Sequence, residues 1–463
     1  MNIHFDETNL LADVVGKANG LSRAEVERAQ SKARKALTGF RKKSDAGLYG
    51  FPNLPLQTPV IRSIREFAAA VRGTYDTVSV VGIGGSALGS WALDCGIRGP
   101  HPVQGAFTTD HPRLVILDNV DPDFTAAALD SMDPNRTIVV VIAKSGGTAE
   151  TVATFLIVRE WLLAALGGRA ASRIVAVTTQ GKGDLFELAR GEEYRTFAIP
   201  ENVGGRFSVL SPVGLVPAAL IGIDIGRLCR GASNMTDLCW QPDLAENTAL
   251  RAALYHWLIW TRKNKPIQVA FPYSNHLWGT AFWFRQLWAE SLGKAQNRKG
   301  EIVHTGQTPV AALGTTDQHS QVQLYIEGPN DKVFTFWALD RFAHPGKIPQ
   351  AKLHLPAFDA LDGQTLTELI DAERRSTAAA MAENGRPNCT FSLGRMDAEH
   401  LGAFLQLLEF ETAFVGELLD IDAFNQEGVE LGKKFTFGLM GRKGFEQYRK
   451  SFAAYEKKRA AAK

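Results

Sequence analysis

Val78-Ser79-Val80-Val81-Gly82-Ile83-Gly84-Gly85-Ser86-Ala87 decides the fold class. Its first four residues are β-branched or small and do not alternate in polarity, as in a strand covered on both faces. The glycines that follow suit a tight turn into a helix. Three more runs repeat the theme: Leu114-Val115-Ile116-Leu117, Ile138-Val139-Val140-Val141-Ile142 and Ile174-Val175-Ala176-Val177. Between the last two, Val152, Phe155, Leu156, Leu162, Leu163 and Leu166 form a helical stripe, so the unit reads as strand, crossover helix, strand. The expectation is an α/β chain with mainly parallel sheets flanked by helices.

Working outward, Ser22-Arg23-Ala24-Glu25 has the form of a capping box and predicts a helix to about Phe40. Gly47 to Pro59 reads as a linker. Pro266-Ile267-Gln268-Val269-Ala270-Phe271 opens a second α/β block, followed by an aromatic-rich helix from His276 to Leu292 and an alternating strand through Val322, Leu324 and Ile326. The predicted division is a helical N-terminal segment (1–50), a first α/β domain (51–235), a second (236–435) and a helical tail (436–463).

The 463 residues carry 51 Lys plus Arg against 49 Asp plus Glu, so no bulk field favours nucleic acid or an anionic membrane. Any anion must be held locally. Cys95, Cys229, Cys239 and Cys389 form no CxxC pair, and the histidines form no HxxxH or HExxH pattern, so neither a disulfide framework nor a metal site is expected. The start lacks the character of a signal peptide, and the apolar stretch Leu210 to Ile223 is too short to span a bilayer. A cytoplasmic location is expected.

Two glycine loops end predicted strands. Gly82-Ile83-Gly84-Gly85-Ser86 suits a phosphate, whose oxygens can meet the free amides of a helix start. It also fits a dinucleotide fingerprint with Asp118 on the ribose, or a plain tight turn. Lys144-Ser145-Gly146-Gly147-Thr148 offers a second set of hydroxyls, and in an open parallel sheet both loops face one crevice. Arg206 stands beside Gly204 and Gly205, with Ser211-Pro212 as a helix cap and first residue. Glu290 falls in the last turn of its helix, where a carboxylate opposes the helix dipole. That misfit marks it as a candidate general base. Alone, His319 reads as a loop residue and Lys433 as a solvated one.

Together GIGGSALG, AKSGGTAET, ENVGGRFSVLSPVG, WAESLGK with GTTDQHSQ, and FNQEGVELGKK resemble the phosphoglucose isomerase family, in family order from residue 82 to 434. The resemblance implies two sugar-isomerase domains, a homodimer, and reversible conversion of glucose 6-phosphate to fructose 6-phosphate through ring opening and a cis-enediol, in glycolysis and gluconeogenesis. It also implies phosphate binding by Ser86, Ser145 and Thr148, helped by Gly85 and Lys144. Arg206 would stabilise the enediolate, Glu290 would move the proton, and His319, lent by a second subunit, would open the ring with Lys433. Gln426 would lie near the substrate. Ala143 and Gly147 depart from the pattern, standing where many relatives carry hydroxyls.

Such a proton transfer needs neither metal nor redox cofactor. A sugar-phosphate sensor would not need Glu290, His319 and Lys433 together. An NAD-dependent dehydrogenase would rest on the first glycine loop and Asp118. The isomerase half of an aminosugar synthase would need a near-N-terminal cysteine, whereas the first here is Cys95. The residues do not distinguish glucose 6-phosphate from mannose 6-phosphate.

Overall fold

The computed structural model describes residues 3–99, 111–144 and 146–462. Its strands, in chain order, are β1 (Ile3–Asp6), β2 (Thr77–Val81), β3 (Arg113–Leu117), β4 (Thr137–Ile142), β5 (Ile174–Thr178), β6 (Arg195–Ala198), β7 (Ile267–Pro272), β8 (Lys294–Gln296), β9 (Ile302–Thr305), β10 (Thr308–Ala311), β11 (Lys332–Leu339) and β12 (Asn388–Leu393).

The first sheet has the order β3-β2-β4-β5-β6, with every neighbouring pair parallel. All of β2, β4 and β5 is buried, which is why those runs show no alternation. The chain leaves β2 toward β3, then crosses back to β4 on the other side. That reversal opens a crevice beyond the carboxyl ends of β2 and β4, where both glycine loops lie.

The second sheet, β1-β12-β11-β7-β10, repeats the plan, except that its edge strand β1 runs antiparallel to β12. The N-terminal segment is therefore not helical throughout: it begins as a strand of the second sheet. Its capping box forms as expected, with Ser22 and Glu25 each satisfying the other's backbone amide, and the helix runs on to Asp45. The predicted linker is more than a tether. Phe51, Pro52, Leu54 and Pro55 form a buried 3-10 turn, and the next helix starts at Thr58.

One core spans both sheets, containing Val78 and Val140 of the first together with Trp337 and Phe391 of the second. Through it runs the helix Ala398–Leu418, buried on nearly every face. It packs on the helices Arg23–Asp45, Ile225–Cys239, Thr248–Lys263 and Trp278–Leu292. The tail forms a hairpin of two helices, Glu430–Leu439 and Glu446–Ala461.

Two readings need correction. Val322, Leu324 and Ile326 belong to a short helix, Val322–Glu327, not to a strand. Val322 and Ile326, one turn apart, pack beside buried Tyr325 while Leu324 faces solvent; over so few residues both periods fit the same pattern. The crossover helix Ala149–Leu166 buries Phe155, Leu162 and Leu166 against the first sheet, but Val152 and Leu156 are exposed. Extended to Arg173, this stretch alone among the described residues is long and apolar enough to cross a membrane by length and composition.

Candidate active site

A cavity of about 730 Å³ occupies the crevice, within the range of small-ligand sites. Among its lining residues are Gly85, Ser86, Lys144, Thr148, Arg206, Glu290, Gln426 and Lys433. These come from five separated stretches of chain. Ser145 lies outside the described residues.

Glycine is a steric requirement on the first side. Gly84 adopts φ +60°, and a β-carbon on Gly85 would fall 2.3 Å from the Gly205 carbonyl oxygen. The first glycine loop thus rests directly against the stretch that carries Arg206. Ser86 lies in the opening turn of the helix Gly85–Arg98, and Thr148 occupies the N-cap of Ala149–Leu166 without a side-chain capping bond. Two helix starts and two hydroxyls face the cavity, an arrangement that suits a phosphate dianion. The Lys144 ammonium is already engaged, donating to the carbonyls of Glu201 at 2.7 Å and Val203 at 2.8 Å.

Charged side chains build the opposite wall. Arg206 is buried, with its Nε donating to Ser291 Oγ at 2.8 Å. One terminal nitrogen donates to the carbonyls of Ala423 and Asn425; the other reaches Glu290 Oε2 and Gln426 Oε1, both at 3.4 Å. Burial pulls the Arg206 pKa down, and the charge of Glu290 opposes that shift. The Glu290 side chain keeps about a third of its surface open, and Gln286 donates to its other oxygen at 3.1 Å. The carboxylate is thus pinned at both oxygens yet accessible.

Sequence reasoning missed the role of Lys294. Its ammonium donates to the carbonyls of Glu290 and Asn425, both at 2.7 Å. A cation just past a helix end complements the dipole, so Lys294 answers the local misfit that singled out Glu290. Burial, reinforced by the neighbouring Arg206, pushes the Lys294 pKa down to about 8. The rule that basic residues favour helix ends could have found it.

Lys433 reaches the cavity from the tail hairpin and pairs with Glu430 at 3.0 Å. His319 does not line it. It lies exposed in the 3-10 turn Thr316–His319, which follows β10 at the carboxyl edge of the second sheet. Asp118 is exposed after β3 and does not line the cavity either, leaving the dinucleotide alternative without its ribose partner.

The phosphoglucose isomerase family model matches residues 60–451. The chain belongs to the phosphoglucose isomerase family. A glucose-6-phosphate isomerase of Carboxydothermus hydrogenoformans is 41% identical over 99% of this chain and 98% of its own. One from Rubrobacter xylanophilus is 40% identical over 96% of this chain and 99% of its own. Among solved structures, a hypothetical protein from Thermus thermophilus superposes with a TM-score of 0.85 at 34% identity, covering 95% of this chain and 100% of that one. A glucose-6-phosphate isomerase from Chlamydia trachomatis shares the fold with a TM-score of 0.82 at 22% identity, over 95% and 90%. The enzyme is an aldose-ketose isomerase that interconverts glucose 6-phosphate and fructose 6-phosphate in glycolysis and gluconeogenesis.

Proposed function

We propose that the reaction proceeds through an open-chain sugar and a cis-enediol, with Glu290 moving the proton. The observation that carries this reading is the pairing of an accessible Glu290 carboxylate with a buried Arg206 across from two helix starts. The phosphate end is held at Ser86 and Thr148, with Gly85 supplying close backbone, Lys144 shaping the loop and Ser145 adding a further hydroxyl. This anchoring places C1 and C2 of the sugar beside Glu290. The carboxylate takes the proton from C2 and returns it to C1 on the same face. Meanwhile Arg206, already fixed by its other bonds, stabilises the developing oxyanion without reorganising. Gln426 positions the sugar beside Arg206.

Ring opening falls to Lys433 and to His319. An exposed His319 outside its own chain's cavity fits a homodimer in which a second copy contributes that residue. The proposed setting is the cytoplasm, and the proposed domains are 51–235 and 236–435, the second completed by β1 from the N-terminal segment.

Glu290→Gln is expected to lower kcat for fructose 6-phosphate by roughly 10³-fold with little change in KM. Mixing it with His319→Ala should regain part of the activity, because a mixed dimer holds one intact site. Near-normal turnover by Glu290→Gln would overturn the base assignment; no regained activity on mixing would overturn the shared site.

A further inference from the structure

The four cations lining the cavity are all engaged. Lys182 pairs with Glu201, Arg206 with Glu290 and Lys433 with Glu430, while Lys144 serves two backbone carbonyls. Glu150 also lines the wall, so a dianion entering there meets little uncompensated positive charge. The second loop adds no hydroxyl at Ala143 or Gly147.

A further cation stands at this loop, just outside the residues that line the cavity. Arg442 occupies the turn of the tail hairpin, between the helices Glu430–Leu439 and Glu446–Ala461. A β-carbon built on Gly147 would meet only its guanidinium, at 3.8 and 3.9 Å from the two terminal nitrogens. The side chain is exposed but lies against two rings, its central carbon 4.5 Å from the Phe437 centroid and 5.6 Å from that of Phe445. Among the described residues it makes no ion pair with a carboxylate. A planar cation resting on aromatic faces leaves its donors free and is well matched to phosphate.

We propose that Arg442 is a phosphate-recognition residue, closing the outer rim of the second loop over the substrate's phosphate and supplying a cation with free donors, which Lys144 does not. The hairpin that brings Lys433 to the sugar thereby also brings Arg442 to the phosphate. This proposal rests on the reading that the phosphate lies at Ser86 and Thr148.

The test measures KM and kcat for fructose 6-phosphate and inhibition by inorganic phosphate at low ionic strength. Arg442→Gln is expected to raise both KM and the inhibition constant about tenfold while kcat stays within about twofold. Arg442→Lys should recover part of the loss, since it keeps the charge. Gly147 has no strained φ and room for a side chain. Gly147→Ser in the Arg442→Gln background should therefore restore part of the affinity through a new hydroxyl. Unchanged phosphate inhibition in Arg442→Gln overturns the proposal, as does a KM increase without any change in phosphate inhibition. Thr148→Val separates the two levels of inference. If it weakens phosphate inhibition and Arg442→Gln does not, only the role of Arg442 fails; if neither does, the location of the phosphate fails as well.

Discussion

The two walls of the cavity are made from different materials. One consists of strand ends, glycines and helix starts, with Ser86 and Thr148 as its hydroxyls and Lys144 turned onto carbonyls. The other presents charged side chains, Arg206 and Glu290, locked through Ser291 and Gln286, with Lys294, outside the lining, sharing the Asn425 carbonyl with Arg206. The first can hold an anion whose charge does not change during reaction. The second sits where charge appears and moves, so it needs groups already fixed before the reaction begins. Substitutions on the first wall should thus register in KM, and those on the second in kcat.

Three variants probe that division, in falling order of expected effect. Arg206→Lys keeps the charge but cannot reach Ser291, Glu290 and two carbonyls at once; it should lower kcat by roughly 10²-fold or more with a small change in KM. A loss confined to KM would erase the distinction between the walls. Thr148→Val removes a hydroxyl free of capping duty and should raise KM for fructose 6-phosphate about tenfold, with kcat nearly unchanged.

Lys294→Arg is the mildest at neutral pH and the most informative above it. With the Lys294 pKa at about 8, the wild-type enzyme should lose kcat/KM above that value as positive charge leaves the neighbourhood of Arg206 and Glu290. The arginine variant should keep its activity there. The same titration acts oppositely on stability. An unfolded lysine holds its proton to about 10.5, so between about 8 and 10.5 the folded state binds fewer protons and this group's contribution to stability rises with pH. Falling activity with stability held or increased over that window would distinguish site titration from alkaline unfolding.

The same contrast governs what could be read without coordinates. A strand, a glycine turn and a helix start are local, so β2, β4 and their loops follow from a few consecutive residues. Glu290 stood out locally as well, because its helix position is unfavourable. Lys294 was equally legible, since it lies two residues past that helix, yet a lysine there looks ordinary until its two carbonyl partners are known. Arg442 was not legible: its distance from Gly147 is set by the hairpin turn, nearly three hundred residues along the chain. The helix Val322–Glu327 was misread because six residues cannot separate a period of two from a helical one. For β1, Ile3-His4-Phe5-Asp6 does alternate, but four residues are a faint signal without sight of the strand they join.

That pairing of β1 with β12 bears on how the molecule is made. Ile3 lies opposite Leu393, so the first of the described strands must wait for the last before it has a neighbour. The first sheet has no such dependence: its five strands lie between Thr77 and Ala198 and can assemble as soon as they emerge. Synthesis would then deliver the wall of glycine loops early and the second sheet's outer seam late, leaving β1 without a neighbour during most of translation.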